Sequence, residues 1–564
     1  PAPKRHDGSL HYHPAEFLVS NARLLLDAPG EWFYDRAAGM LYLSVADGED
    51  PNGWDLAMKR RRTGVDLTGR AHIRVEGIDL VGATVVLKDA QNCVVSGMTA
   101  LYITHTRGGC TMSQIPGAEG VLLSGSNNTV RDSEIGFSTG AGVTMKGTGN
   151  ALINCFVHDT DTIGAYACCV NLDGERNLIS HNTLRDTGRD CLQYRGAGHL
   201  IQYNDISGAG RICHDTGALY KGGNDGGNMQ VCYNWVHDVN TTMGNGIYLD
   251  NYTHNYLVHH NVVWAISGNA IQLNHPGTCH GVFHNTVWGQ IVSTYSPWEG
   301  PKTMFGTRLA NNLVSRKSRM KEGSAYTEVA TVLHDRPAPE GGFDPSRDRF
   351  PGAVDRGVVL AGVNDNFTGD APDCGAYETG RPLWRAGHDF SDPPSPVYES
   401  PTSFHRNYLA NACFTQVADG RPAGWSVIEG TVGSKHFSGF NFPAADERFS
   451  VHGRSLCLLG ETDAAVRQAV DGMRDGAPFV FAAYVRLAGA EDVVLRVKDG
   501  SRDVAVGSAS TAAGDTVWRH VEVPFRVPGG GRVTVGIHKT GSGDAYVDDA
   551  AVIPVWNPGR RSNE

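Results

Sequence analysis

Four aspartates, one arginine and one lysine carry the chemistry worth testing in this chain. Asp215 stands in "HDTGALY", Asp225 in "GGNDGGN" and Asp250 in "GIYLDN". Breaking a glycosidic bond takes two carboxylates flanking it, about 5–5.5 Å apart for retention or about 6.5–9.5 Å for inversion. Asp215 and Asp250 are the first choice for that pair, with Asp225 in reserve. Arg195 and Lys221 raise a different chemistry. β-Elimination from a uronic acid needs a base for the proton beside the carboxylate and a cation to neutralise that carboxylate. Lys221 suits the first role and Arg195 the second. The bland readings are turn or capping aspartates, and cations paired with Asp173 and Asp250. Both chemistries require a fold that brings these side chains onto one face.

The repeats supply such a fold. Segments beginning at Asn150, Asn177, His199, Asn228, Asn255 and His280 read "NALINCFVHD", "NLISHNTLRD", "HLIQYNDISG", "NMQVCYNWVHD", "NYLVHHNVVW" and "HGVFHNTVWG". Their starts are 27, 22, 29, 27 and 25 residues apart. No ten-residue amphipathic helix fits between them. Short strands repeating at this period are the rungs of a parallel β-helix, in which stacking buries what one rung cannot. The asparagines Asn154, Asn182, Asn204, Asn234, Asn261 and Asn285 are expected to form an internal ladder at a turn.

Aligning the second strands, "GVTMK", "CVNLD", "CLQYR", "GALYK", "GIYLD" and "AIQLN", sorts side chains by period-two alternation. Val143, Val170, Leu192, Ala218, Ile247 and Ile271 point inward, with Met145, Leu172, Tyr194, Tyr220, Leu249 and Leu273. Outward lie Thr144, Asn171, Gln193, Leu219, Tyr248 and Gln272, then Lys146, Asp173, Arg195, Lys221, Asp250 and Asn274. Arg195 and Lys221 are thus expected one rung, about 4.8 Å, apart. Asp173 and Asp250 are about 14 Å apart on the same spacing, too far for a direct pair. Tyr248, Asp173, Gln193, Gln272, His275 and His214 join Arg195 and Lys221 as substrate-binding candidates. His214 adjoins Asp215 and His275 follows the Asn274 column. The other histidines read as surface or turn residues, and no HExxH occurs. Tyr248 and Trp264 offer sugar-stacking platforms in a third, non-catalytic reading.

The totals bound the rest. The chain has 564 residues, too many for one compact core, and 70 glycines with no collagen period. A net charge of −11 argues against nucleic acid or an anionic membrane as partner. No apolar run is long enough to span a membrane. The opening "PAPKRHDGSLHYHP" has no apolar leader, as in a mature or truncated chain. Twelve cysteines without a CxxC zinc pattern read as buried thiols, and no metal ligands are assigned. No cofactor is expected; calcium is left open, as a structural ion or in the elimination chemistry, where Asp173 and Asn171 can contribute oxygens. Asp548 and Asp549 are candidates for the neighbourhood of a structural ion.

Four segments are expected. Residues 1–60 form an antiparallel β unit packed on the helix, with turns at Ala28-Pro29-Gly30 and near Asp47-Gly48. Residues 61–387 form the β-helix, with irregular rungs and long loops from Pro297 to Phe350. The proline- and serine-rich 388–403 is a linker, and 404–564 is a β-sandwich of jelly-roll type. In the sandwich, Trp425 and Trp518 read as core. Loops around 107–119 and 290–345 set the length of the groove.

The phrases "LLDAPGEWFYDRAAGMLYL", "DTGALYKGGNDGGN…YNWVHD…GIYLDN…NVVW" and "PDCGAYE" resemble bacterial right-handed β-helix carbohydrate enzymes, closest to glycoside hydrolase family 141, with its fucosidase and xylanase activities. The resemblance spans roughly residues 15 to 388 and implies a right-handed helix and further chain before the "GEWFYD" unit. Residues from about 404 to 555 are similar to carbohydrate-binding modules that end in a "VDD" strand. The expectation is therefore an all-β, secreted or periplasmic, monomeric glycoside hydrolase acting on a carbohydrate polymer or oligosaccharide. Polysaccharide lyase is the alternative and a glycan-binding protein the third reading.

Overall fold

The computed structural model describes residues 22–56, 58–105, 119–164, 166–294, 304–396, 398, 405–436, 454–510 and 518–556. Most of the loop expected at 107–119, and 295–303 within the irregular stretch, lie outside the described residues. Two compact units divide the chain, 1–59 and 60–564. In the first, Trp32–Asp35 pairs antiparallel with Met40–Leu43. The Asp35 carboxylate closes the turn between them by accepting from the N–H groups of Ala37 and Ala38.

The second unit is built on stacked rungs. Among the described residues sheet 1 has ten strands, sheet 2 twelve and sheet 3 eleven, with rung-to-rung pairing parallel throughout. One rung runs Cys168–Leu172 in sheet 1, Leu178–Ser180 in sheet 2 and Thr183–Thr187 in sheet 3. Inward residues such as Val170, Leu192, Ile247, Ile271, Ile179, Ile201 and Val236 are fully buried in one continuous core. Each contributes about 1.5–3 kcal/mol by leaving water.

The turns between sheets 2 and 3 explain the asparagines. Asn182, Asn204, Asn234, Asn261, Asn285 and Asn312 form a fully buried file. From Asn204 onward, each Oδ1 accepts both the N–H and the Nδ2–H of the previous asparagine, at 2.9–3.1 Å. Asn154 is not in this file. Cys155 holds its place and donates its N–H to Asn182 Oδ1, while Asn154 turns outward to Asp132 and Asp389. The residue before each ladder asparagine takes left-handed backbone: His181, Tyr203, Tyr233, His260 and His284, at φ of 51–55°. Their rings stack at 4.7–5.0 Å. Two histidines expected at the surface are interior: His254 and His259 are buried. A second ladder at the other turn joins Asn128, Asn150, Asn177 and His199.

Residues 387–396 lie along the rungs. Gly387 N–H bonds to Tyr203 O, His388 to Thr183 Oγ1, and Asp389 N–H to Asn154 Oδ1, while Pro394 O accepts from Arg131. The stretch read as a linker is thus pinned to the helix over several turns. Trp264 is buried against Trp235 and Phe343, so it offers no platform to a sugar.

The C-terminal part is a sandwich of two antiparallel sheets, each with five strands among the described residues. Trp425 and Trp518 are buried in it. One sheet faces the β-helix. Val480, Ala482, Ala551 and Ile553 pack on Cys279 and Phe305, and Asn407 bonds to Asn228 and Asn255. Arg308 donates to the Pro554 carbonyl at 3.0 Å.

Candidate functional site

The site lies on sheet 1, across the strands Asp190–Tyr194, Thr216–Lys221, Gly244–Leu249 and Ile271–Asn274. Its register differs from the expected one in a single rung. Leu219 pairs with Leu192 and Ile247, and Tyr220 pairs with Gln193 and Tyr248. Leu219 is therefore the inward residue, and Tyr220 joins the outward column of Asn171, Gln193, Tyr248 and Gln272. Lys221 pairs with Leu249, one place off the column that runs Asp173, Arg195, Gly222, Asp250 and Asn274. A one-residue slip exchanges the faces of a strand.

Tyr220 and Asp250 are joined as a result. Asp250 Oδ2 accepts from Tyr220 OH at 3.1 Å, and Oδ1 accepts from Asn274 Nδ2 at 2.6 Å and Asn251 N–H at 2.8 Å. Asn274 Nδ2 also donates to Tyr248 OH at 3.0 Å. Gln272, itself held by Asn269 at 2.6 Å, donates to Asn274 Oδ1 at 3.0 Å. The Tyr220 and Tyr248 rings meet edge to face at 5.3 Å. Burial first, then the charge of Asp250, pushes both phenols well above their ordinary range, so they donate hydrogen bonds as neutral groups.

Asp215 sits at the mouth of this cluster, exposed and in left-handed backbone at φ 52°. Arg189 holds its loop: one guanidinium arm donates to Asp215 O at 2.7 Å and the other to His214 O at 3.4 Å. The same guanidinium lies 3.9 Å from the Tyr166 ring centroid and 5.7 Å from that of Tyr220. Desolvation raises the Asp215 carboxyl; Arg189 opposes this and the like charge of Asp250 adds to it. The two aspartates are thus near enough to act on each other. His214 bonds through Nδ1 to Thr241 Oγ1 at 2.8 Å.

Asp190, which motif reading passes over, is fully buried beneath the cluster. It accepts from Thr216 Oγ1 at 2.5 Å, Gln193 Nε2 at 2.7 Å and Gly217 N–H at 3.1 Å, and pairs with Arg189 Nε at 3.3 Å. Burial raises its carboxyl despite these partners, Arg189 foremost. Gln193 is therefore a support for Asp190. The only outward sign in the sequence is the charge pair Arg189-Asp190 at the head of an otherwise apolar strand.

Lys221 is buried, and its ammonium is pushed down to about 7, by desolvation first and then by Arg195, against the pull of Asp173 and Asp250. The cations expected to neighbour each other do interact, despite the shifted register. Asp173 caps its own turn, accepting from Gly174 N–H at 2.7 Å. His275 is buried and pushed down to about 4 by desolvation, with Ser293 and Ser324 on Nε2 at 3.2 and 3.1 Å. It is a neutral wall of the site.

Asp225 is elsewhere. It lies on sheet 2 and accepts from Asn255 Nδ2 at 2.8 Å, Gly227 N–H at 3.0 Å and Cys413 N–H at 3.4 Å. The glycine-rich segment continues as sheet-2 strand, which turns its carboxylate toward the sandwich rather than over the Asp250 face.

A family model described as "right handed beta helix region" matches residues 63–287. The fold is an all-β, right-handed parallel β-helix, with antiparallel sheets in the N-terminal and C-terminal parts of the chain. No relative is found among curated proteins. Among solved structures, the enzymatically active domain of bacteriophage CBA120 tailspike protein 4 is 11% identical, over 85% of this chain and 64% of that one, at a TM-score of 0.24. The carbohydrate-binding module TmCBM61 with bound β-1,4-galactotriose is 18% identical, over 27% of this chain and 99% of that one, at a TM-score of 0.22. The CBM22-1–GH10 modules of Clostridium thermocellum xylanase 10B with xylohexaose are 14% identical, over 25% of this chain and 28% of that one, at a TM-score of 0.18.

Proposed function

We propose that this protein is a glycoside hydrolase whose saccharide lies across sheet 1, with Asp215 as general acid and Asp250 as the opposing base or nucleophile. One observation carries the reading: two carboxylates on one face act on each other from unlike environments. Asp215 is raised toward its protonated form, whereas Asp250 receives three donors. A raised carboxyl near an aspartate held by three donors suits the acid role. Tyr166 and Tyr220, both partly exposed, supply aromatic surface beside them for a sugar ring, whereas Tyr248, expected as a platform, is buried and serves as a hydrogen-bond partner of Asn274. The motif resemblance to glycoside hydrolase family 141 points the same way. A carbohydrate polymer outside the cell as substrate implies a secreted or periplasmic protein.

The test is a panel of polysaccharides and oligosaccharides with product masses measured. Asp250→Asn and Asp215→Asn are each expected to lower kcat by roughly 10²–10⁴-fold, the range of positioned acid–base groups. Full activity in Asp250→Asn refutes the assignment.

Lys221 favours a second reading. A lysine titrating near 7 beside an arginine matches the base and neutraliser of β-elimination. Products that gain ultraviolet absorbance, with activity lost in Lys221→Ala, establish this reading and displace the first.

A further inference from the structure

A second cluster stands away from sheet 1, where the sandwich meets the β-helix. His254 comes from the sheet-2 strand Thr253–His259, Cys413 from the turn that opens the sandwich, and Asp549 from its last strand, Asp544–Pro554. All three are buried, at 0%, 1% and 6% exposure. Their ligand atoms lie within 4.8 Å of one another, the one such His/Cys/Asp group among the described residues.

The backbone is shaped to make this meeting. In the last strand Asp548 pairs with Tyr484 and Ala551 with Ala482, so two residues, Asp549 and Ala550, stand against the single Ala483. Asp549 takes left-handed backbone there, at φ 46°. A bulge of this kind re-aims a side chain at the expense of local strain. Here it directs a carboxylate into a dry interface that already holds the buried Asp225.

Asp549 Oδ1 is buried and receives no hydrogen bond. Leaving a carboxylate oxygen so placed is costly unless a proton or a cation meets it. Its ion-pair neighbour, His254 Nδ1, is bonded to Thr278 Oγ1 at 2.6 Å, a bond that an ion would displace, and lies 3.6 Å away. That distance is long for a hydrogen bond. It equals the edge of a tetrahedron around an ion with bonds of about 2.0–2.3 Å, roughly 3.3–3.8 Å. Imidazole nitrogen and thiolate sulfur select zinc-like metals over calcium or magnesium, and a carboxylate completes a zinc set. Asp225 Oδ2 accepts from Cys413 N–H at 3.4 Å, so a further carboxylate borders the group.

We propose that His254, Cys413 and Asp549 bind one divalent transition-metal ion, zinc by its donors, which clamps the sandwich to the β-helix. The three ligands come from segments far apart in sequence, so the ion ties together parts that otherwise meet through apolar side chains, amides and the Arg308 guanidinium. The proposal is independent of the chemistry assigned to sheet 1.

The full chain, purified without a metal-affinity tag, is to be assayed for metal by mass spectrometry, then unfolded with chelator and refolded with Co²⁺. The expected result is stoichiometric zinc as purified, a cobalt–thiolate charge-transfer band after refolding, and a lower melting temperature without metal. Cys413→Ser is expected to lose the band. Asp549→Asn, which keeps the side chain's shape, is expected to keep the band and weaken cobalt binding at least 10-fold, and it tests the site if the cysteine variant does not fold. Protein that purifies without zinc and refolds without the band overturns the proposal. So does calcium in place of zinc, a band that survives Cys413→Ser, or unchanged affinity in Asp549→Asn.

Discussion

Lys221 is expected to destabilise the protein in which it sits, and the size of that effect follows from its environment. An unfolded lysine titrates near 10.4. In the folded protein, burial and Arg195 bring it down to about 7. Between these two values the unfolded chain holds a proton that the folded chain has released, so stability rises with pH across that window. The penalty is complete below pH 7 and disappears above about pH 10. At 1.36 kcal/mol per pH unit, the gap corresponds to about 4 kcal/mol at pH 7. Replacing Lys221 by methionine keeps the unbranched apolar stem and removes the charge. Lys221→Met is thus expected to be the more stable protein at pH 7, by an amount approaching 4 kcal/mol. The advantage should shrink by about 1.4 kcal/mol for each unit of pH up to 9. Urea unfolding followed by circular dichroism at pH 6, 7, 8 and 9, wild type against variant, measures this directly. A difference that does not change with pH, or a variant less stable at every pH, refutes the claim that a desolvated ammonium is held there. Retaining a costly lysine beside the Asp250 cluster is the pattern of a residue kept for function over stability.

Two further outcomes test the scaffold and the site. Asn234→Ala removes the acceptor of Asn204 N–H and the donor to Ile201 O, both in the buried ladder. At about 1–3 kcal/mol for each orphaned group, a loss of roughly 3–5 kcal/mol is expected in urea unfolding, and a loss below 1 kcal/mol contradicts the ladder's role. Tyr220→Phe deletes the hydroxyl that donates to Asp250 at 3.1 Å. A hydrogen bond to a charged group contributes about 1.5–3 kcal/mol, so kcat/KM should fall roughly 10- to 100-fold with melting little changed. An unaltered rate means Tyr220 does not position Asp250.

The β-helix was legible because each rung repeats the same demand. An inward apolar pair and a buried amide recur about every 25 residues, and only stacking satisfies both. The file from Asn182 to Asn285 follows from that period alone. Asn154 does not, because the amide and the neighbouring Cys155 exchange the two places at the turn, and only the bonds to Asp132 and Asp389 decide which faces out. The same limit explains the misplaced Tyr220. In Thr216–Lys221 the residues Ala218, Leu219 and Tyr220 are all apolar enough to face inward, so alternation does not choose between registers. Pairing with Leu192 and Ile247 does choose, and it puts Leu219 inside.

That choice of register creates the site as well as correcting a column. With Tyr220 inside, Asp250 would lose one of its three side-chain and backbone donors, and Arg189 would lose the second ring it faces. With Tyr220 outside, the phenol spans to Asp250 on the next rung, while Lys221 is drawn into the wall where its charge is expensive. One slip of one residue thus couples the donor on the carboxylate to the depressed lysine beside it. Asp225 shows the converse. It is close to Lys221 in sequence and shares its glycine-rich neighbourhood, yet the strand Asn224–Cys232 continues without turning back, and the carboxylate is delivered to the sandwich interface. Proximity in sequence is weak evidence for a shared site in a solenoid, because the chain leaves each face within a few residues. Register between rungs decides which side chains meet.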